Sequence, residues 1–134
     1  PLTVVGDGSQ SRDFTFVGDI VKALIMTAES QVTGEIMNVG TGVSRSVNEI
    51  VDILGGDVVY IPKRPGEPDC TRANISKIER MLSWKAEMSF KDGVNIMLNQ
   101  IEQWRDAPIW TEDSIHKATE TWFRYLGKSF NEHD

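Results

Sequence analysis

Apolar and polar residues follow two different periods along this chain, and the periods predict short strands and amphipathic helices. β-Branched residues dominate Leu2–Val5 and Val58–Ile61, and turn-forming glycine or proline follows each run. Both runs therefore predict strands. Residues 35–39 predict a third strand, and residues 14–17 predict a brief extended segment.

Helix predictions rest on spacing and on capping residues. Asp19 is a plausible N-cap for a helix whose apolar positions continue to Ala28. Ser46 and Glu49 form a capping-box pattern for a helix that runs to about Leu54. Three further helices are predicted: a short one capped by Asn74, a longer one with Phe90, Val94, Met97, Ile101 and Trp104 on one stripe, and a last one over Glu112–Leu126 capped by Thr111 and ended by Gly127.

The order of these elements predicts an α/β fold. We expect a small sheet of about three short strands with flanking helices and a helical C-terminal tail. So small a sheet suggests that the chain packs against a larger partner domain.

Composition narrows the function classes. The chain has 134 residues, 40% of them apolar, and a net charge of −6. Such an acidic chain is unsuited to general nucleic-acid binding. No apolar run approaches the roughly 18 residues that a membrane span needs.

A single cysteine, Cys70, favours a reducing, cytoplasmic setting. His116 and His133 are the only histidines, and no zinc-ligand spacing exists, so we expect no metal. The segment beginning at Pro1 is neither a signal peptide nor an obvious natural start.

Two loops collect basic residues. One contains Arg12, and the other contains Lys63 and Arg64. Guanidinium groups on two loops could hold a diphosphate from both sides, since each can donate two parallel hydrogen bonds. The alternative is that each arginine forms a surface salt bridge with Asp13 or Glu67, and composition alone favours it. Asp13 is expected to be structural, through a local salt bridge.

Sequence motifs follow one another in order from Leu2 to about Arg105. They are Leu2-x-Val4-x-Gly6-Asp7-Gly8-x-Gln10-x-Arg12-Asp13-Phe14-x-x-Val17-x-Asp19, Asn38-Val39-Gly40-Thr41-Gly42 with Ser46-Val47-x-Glu49-Ile50, Lys63-Arg64-Pro65-Gly66-Glu67, Ala73-Asn74-x-Ser76-Lys77, and Leu82-x-Trp84 with Trp104. In this order they resemble the substrate domain of the extended short-chain dehydrogenase/reductases, which include UDP-glucose 4-epimerases and dTDP-glucose 4,6-dehydratases. The resemblance implies a nucleotide-sugar-binding C-terminal domain over residues 1–105, without its Rossmann half. Residues 106–134 are then a helical extension that packs on this domain.

The resemblance also implies residue roles. Arg12 and Arg64 match the arginines that hold the diphosphate of a UDP- or dTDP-sugar. Glu67 stands where an acid, usually Asp, accepts hydrogen bonds from the ribose hydroxyls. The residues implied to lie near the base and the rest of the nucleotide are Thr3, Val5 and Val47.

Two parts that the family's chemistry needs are absent from the sequence. No glycines have the Gly-x-x-Gly-x-x-Gly spacing of a dinucleotide-binding turn. No Tyr-x-x-x-Lys pair exists, because Lys63 and Lys128 each follow a tyrosine, Tyr60 and Tyr125, by three residues. Tyr60 is instead interpreted as a strand residue and Tyr125 as helix packing. We therefore expect no catalytic residue and no cofactor in this chain, with NAD confined to an N-terminal Rossmann half, and no activity from the chain alone.

The competing hypothesis is a non-catalytic interaction or regulatory domain. Trp110, Trp122, Phe123 and Tyr125 make the tail aromatic. Packing back onto the domain is the favoured interpretation, but an exposed face there would support assembly, including a homo-oligomer. The sequence leaves open the sugar, the base and the choice between epimerase, dehydratase, decarboxylase and reductase. It also leaves open whether the chain is a fragment or a stand-alone protein.

Overall fold

The computed structural model describes residues 1–127, which form a mixed arrangement of helices and short strands. Within this range no helix is both long and apolar enough to cross a membrane. The elements are β1 (Leu2–Val5), β2 (Ser11–Arg12), α1 (Val17–Glu29), β3 (Arg45–Ser46), α2 (Val47–Leu54), β4 (Val58–Ile61), α3 (Ser76–Leu82), α4 (Phe90–Asn99), a 3-10 turn (Ile101–Trp104) and α5 (Glu112–Leu126).

The strands form two separate pairs. β1 runs parallel to β4, with Leu2 opposite Val58 and Val5 opposite Ile61. β2 runs antiparallel to β3 in a two-residue ladder. The expectation of one three-stranded sheet is therefore wrong, although the small sheet and its flanking helices are present.

The third strand predicted for residues 35–39 is also absent. Met37 and Val39 pack against the core, whereas Asn38 between them is exposed and Ile36 before them is 88% exposed. This alternation is typical of a strand. No neighbouring strand within residues 1–127 pairs with the segment, so it stays outside both ladders.

A compact apolar core joins α1 to α3 and to the segment after α3. Its fully buried members are Ala23, Ile78 and Trp84, each 1% exposed. The surrounding, partly buried side chains are Met26, Met37, Val39, Ile75, Leu82 and Ala86.

Asp19 is structural, but it is not the N-cap that the sequence predicts. α1 begins at Val17 after an extended Phe16, so Asp19 lies within the first turn. Its carboxylate is buried and accepts hydrogen bonds from the backbone N–H groups of Glu87 and Met88, both at 3.1 Å. Asp19 therefore ties α1 to the segment before α4, a role that local spacing does not reveal.

Two other helix boundaries differ from prediction. Asn74 lies one residue before the N-cap of α3, although its side-chain oxygen does accept from Ser76 N–H at 3.1 Å. The long helix predicted to reach Trp104 ends at Asn99, and a 3-10 turn continues after Gln100.

The capping box of α2 is confirmed. The Ser46 hydroxyl accepts from Glu49 N–H at 3.1 Å, and the Glu49 carboxylate accepts from Ser46 N–H at 2.7 Å. Thr111 likewise caps α5 as predicted, with Ser114 as its reciprocal partner. Each cap satisfies N–H groups that the first helical turn leaves without a partner.

We predict that Ser46→Ala lowers the free energy of unfolding by about 1 kcal/mol, because the Glu49 N–H loses its acceptor. Ser46→Thr keeps a hydroxyl at the same position and should retain most of that stability. Urea denaturation followed by tryptophan fluorescence measures both variants. Equal stability of the alanine variant and the wild type would contradict the capping role.

Candidate functional site

The basic loop after β4 contains a tight turn from Arg64 to Glu67. Glu67 N–H donates to the Arg64 carbonyl at 3.3 Å. Pro65 and Gly66 occupy the two central positions, and Gly66 has φ +72°. Proline followed by a residue with positive φ is the preference of a type II turn. The sequence thus places Arg64 and Glu67 on the two sides of one turn.

Arg12 approaches the same turn from β2. Its guanidinium Nη2 lies 3.0 Å from Glu67 Oε1, and the two side chains are only 25% and 23% exposed. Nη1 donates to the carbonyl of Ser11 at 2.8 Å. The salt bridge considered as an alternative is thus present for Arg12, and its partner is Glu67 and not Asp13.

Backbone contacts hold Arg12 beside the turn. Ser11 N–H donates to the Asp69 carbonyl at 2.8 Å, and Thr71 N–H donates to the Ser11 carbonyl at 3.1 Å. β2 is therefore bonded to the chain just after the turn. Lys63, the other cation of the loop, forms an exposed ion pair with Asp69.

Arg64 has a different environment from Arg12. Its Nε atom is buried and has no hydrogen-bond partner within residues 1–127. The side chain lines a cavity of about 540 Å³ between β4 and α5. A buried guanidinium nitrogen without an acceptor is costly, because it has lost water and gained nothing in return. Arg64 is therefore the group in this region that is best placed to gain from an incoming acceptor.

Asp13 holds three segments together next to Arg12. Its carboxylate accepts from Thr41 N–H at 2.8 Å, Thr41 Oγ1 at 2.6 Å, Gly42 N–H at 2.9 Å and Ala73 N–H at 3.1 Å. Burial raises the pKa of Asp13, but the hydrogen bonds from Thr41, Ala73 and Gly42 outweigh it and lower the pKa below 3.8. The prediction of a structural Asp13 is right, but its partners are backbone and hydroxyl donors and not a basic side chain.

Thr3, Val5 and Val47 lie apart from the turn, along β1 and at the start of α2. Gln10 connects Val5 to Val47. Its side-chain amide donates to the Val5 carbonyl at 2.8 Å, and its backbone carbonyl accepts from Val47 N–H at 3.0 Å. Thr3 is exposed in the middle of β1. The structure thus joins Val5 and Val47 through Gln10 and leaves Thr3 exposed on β1.

Close packing fixes the turn between β1 and Gln10. Gly8 has φ +74°, and a Cβ added there would lie 2.0 Å from Asn48 Oδ1. The Asn48 side chain donates to the Asp7 carbonyl at 3.1 Å, and its backbone N–H donates to the Gly8 carbonyl, also at 3.1 Å. α2 therefore begins directly against this turn, which only glycine fits without strain.

The tail helix α5 packs on the Arg64–Glu67 turn, a contact that the sequence did not reveal. Trp122 Nε1 donates to the Pro65 carbonyl at 2.7 Å. A Cβ at Gly66 would lie 3.7 Å from the Leu126 side chain. The other residues that line the cavity beside Arg64 come from β4 and its loop and from α5. They are Tyr60, Ile61 and Pro62 on the first side and Glu112, Asp113, His116, Thr119, Glu120 and Phe123 on the second.

The tyrosines are placed only partly as predicted. Tyr60 is a strand residue in β4 and is 61% exposed. Tyr125 was expected to pack within the tail, but it is 70% exposed on α5. Lys128 and His133 lie outside the described residues.

Comparison with known proteins identifies the family. The family model of GDP-mannose 4,6 dehydratase matches residues 1–97. The chain belongs to the extended short-chain dehydrogenase/reductase family of nucleotide-sugar epimerases and dehydratases. A putative UDP-glucose 4-epimerase of Methanocaldococcus jannaschii is 39% identical over 102 residues, covering 72% of this chain and 32% of that protein. A UDP-glucuronate 4-epimerase of Thermodesulfobacterium geofontis is 32% identical over 106 residues, covering 74% and 32%.

Solved structures of this epimerase/dehydratase family resemble the fold closely. The crystal structure of UDP-glucuronic acid 4-epimerase from Bacillus cereus, in complex with UDP-glucuronic acid and NAD, aligns with a TM-score of 0.72 and 32% identity, covering 77% of this chain and 35% of that one. An epimerase from Methanothermobacter thermautotrophicus aligns with a TM-score of 0.73 and 31% identity, covering 78% and 33%. The chain thus spans about a third of the length of the family members it matches.

Proposed function

We propose that this chain is the nucleotide-sugar-binding portion of a longer NAD-dependent epimerase or dehydratase, and that Arg12 and Arg64 hold the diphosphate. The observation that carries the proposal is the Arg64–Glu67 turn. On one side of the turn lies Arg64, whose buried Nε has no hydrogen-bond partner within residues 1–127, and on the other side lies the Arg12–Glu67 ion pair. Two guanidinium groups at one turn suit an anion with several oxygen acceptors.

Glu67 has two tasks in this proposal. Its carboxylate orients Arg12 through the 3.0 Å contact, and a carboxylate oxygen can also accept from ribose hydroxyls. The glutamate side chain is one methylene longer than that of aspartate, which helps the Glu67 carboxylate to contact Arg12 on β2 as well as a ligand. Thr3, Val5 and Val47 are proposed to contact the base and the adjoining part of the nucleotide, which agrees with their position along β1 and the start of α2.

The cofactor-binding and catalytic parts are proposed to lie in an N-terminal Rossmann half outside this sequence. The chain spans about a third of its relatives and has no glycine-rich dinucleotide turn. α1 offers a surface for such a partner, because it exposes four apolar side chains at helical spacing. They are Val17, Val21, Leu24 and Ile25, which are 48–67% exposed.

Titration calorimetry with UDP, dTDP and their sugars tests the proposal. We expect the isolated chain to bind at least one of these nucleotides, weakly because only half of the site is present. The purified chain should contain no NAD(H) by absorbance after denaturation and should form no epimerised product. Bound NAD(H) or turnover by the chain alone would refute the assignment of the chemistry to a missing half.

A non-catalytic interaction domain is the second candidate, and the exposed aromatic residues of the tail support it. Trp110 is 63% exposed and Tyr125 is 70% exposed. The interaction-domain hypothesis is supported if no nucleotide binds and light scattering shows a concentration-dependent oligomer. A clean monomer that binds UDP or dTDP would dismiss it.

A further inference from the structure

The cavity beside Arg64 has walls of opposite charge. β4 and its loop contribute Arg64, whereas α5 contributes three carboxylates. Glu112 and Asp113 lie in the first turn of α5, and Glu120 lies about two turns later on the cavity side. The cavity has a volume of about 540 Å³, which is within the range of small-molecule binding sites. An anion that approaches Arg64 through this cavity therefore meets three carboxylates, one of which, Glu120, is paired with Arg124 on α5.

α5 is hydrogen-bonded to the turn near its C-terminal end, while its N-terminal end is fixed by a cap within the helix itself. The Thr111–Ser114 capping box fixes its start, with hydrogen bonds of 2.8 and 3.2 Å. Near its other end, Trp122 Nε1 donates to the Pro65 carbonyl between Arg64 and Gly66. The acidic wall is thus bonded to the turn that it faces.

None of the three carboxylates forms an ion pair with Arg64 at 4.0 Å or less within the described residues. Glu120 pairs instead with Arg124 on α5 itself, at 3.1 Å. Within residues 1–127 the buried Arg64 Nε also has no hydrogen-bond acceptor. The wall therefore makes the surroundings of Arg64 negative without satisfying its donor.

We infer that α5 is an autoinhibitory cover, whose carboxylates lower the affinity of the Arg64 region for a nucleoside diphosphate. The inference rests on the proposed function, since it concerns the same ligand. Charges facing each other across a partly closed cavity interact more strongly than charges in open water. Because coupling is reciprocal, diphosphate binding also weakens the contact between α5 and Pro65.

The test compares UDP binding by the full chain and by the variant Glu112→Gln/Asp113→Asn/Glu120→Gln. We expect the Kd to fall by at least about fivefold, a usual lower value for coupled sites. The matched control is Glu29→Gln/Asp52→Asn/Asp106→Asn, which removes three exposed acids that do not line the cavity. The difference should shrink in 1 M salt, where screening acts within about 3 Å.

A second readout does not depend on charge substitution. Hydrogen exchange of the α5 backbone amides should speed up when UDP is added to the wild-type chain. Trp122→Phe, which removes the donor and keeps an aromatic ring, should tighten UDP binding as well.

The outcomes separate the two proposals. Binding by the triple variant, with weaker or no binding by wild type and control, supports the cover. Equal binding by the triple variant and the control, with α5 exchange unchanged by UDP, overturns the cover and leaves the proposed function standing. Absence of UDP and dTDP binding in every variant at low salt overturns the proposed function, and the inference falls with it.

Discussion

Asp13→Ala is expected to destabilise the chain by about 3 to 4 kcal/mol, because several donors lose a charged acceptor at once. The carboxylate accepts from the backbone N–H groups of Thr41, Gly42 and Ala73 and from the Thr41 hydroxyl. Alanine would leave these donors without a partner in a partly buried region. The 40–42 loop, Ala73 and the Arg12 strand would then separate more easily.

Urea denaturation measures this effect, and two variants control it. Asp106→Ala removes an exposed carboxylate and should change stability by less than about 0.5 kcal/mol. Asp13→Asn keeps one acceptor oxygen but turns an N–H group toward a donor, so an intermediate loss is expected. If Asp13→Ala behaves like Asp106→Ala, this carboxylate does not hold the loops together.

The same residue predicts a pH dependence of stability. The folded pKa of Asp13 is below 3.8, so the folded chain binds fewer protons than the unfolded chain in this range. The contribution of Asp13 is fully present above pH 3.8 and is lost as the pH falls through the lower, folded pKa. Asp13→Ala should therefore show a shallower loss of stability on acidification below pH 4 than the wild type does.

Local sequence signals predicted the elements whose stabilising contacts are also local. Ser46 and Glu49 are three residues apart and bond to each other, so their pattern alone places the start of α2. The β-branched runs of β1 and β4 predicted strands through the local preference of these residues for extended backbone. Their pairing, with Leu2 opposite Val58, depends on contacts more than 50 residues apart and was not predictable.

The errors arise where a distant partner decides the outcome. Residues 35–39 have a strand pattern, but a strand also needs a hydrogen-bonded neighbour, and none pairs with them within residues 1–127. Asp19 has a typical capping identity, yet its carboxylate bonds to Glu87 and Met88 far along the chain.

The candidate site was predicted in part. Motif order singled out Arg12, Arg64 and Glu67, and the structure brings Arg12 to Glu67 at one turn. The contribution of α5 to the cavity was missed, because Trp122 meets Pro65 across 57 residues and no motif extends so far. An aromatic, amphipathic tail was the only signal of that contact.

Combined replacement of Arg12 and Arg64 by alanine is expected to weaken UDP or dTDP binding by about 100-fold or more. Each arginine should contribute about 1.5 to 3 kcal/mol, the range for hydrogen bonds to charged groups. Because both would hold one ligand, their effects need not add, and the two single variants are required to measure the coupling. Each single variant alone should weaken binding by about 10- to 150-fold.

Arg64→Ala is expected to be the cleaner of the two single variants. The side chain of Arg12 is paired with Glu67, so Arg12→Ala also releases that carboxylate near the ligand. Within the described residues, the buried Arg64 Nε has no hydrogen-bond partner, and removal of the side chain leaves no ion-pair partner behind. Comparing Arg12→Ala with Arg12→Ala/Glu67→Gln separates the loss of the guanidinium from the repulsion by the freed carboxylate.

Conservative and distant substitutions complete the design. Arg64→Lys keeps the charge but cannot donate two parallel hydrogen bonds, so it should recover only part of the affinity. Arg80→Ala removes an exposed arginine on α3 and controls for the change in net charge.

Calorimetry at two salt concentrations should show a weaker salt dependence for the double variant, because fewer cations then contact the diphosphate. Wild-type affinity in the double variant would place the diphosphate elsewhere and remove the central claim of the proposed function.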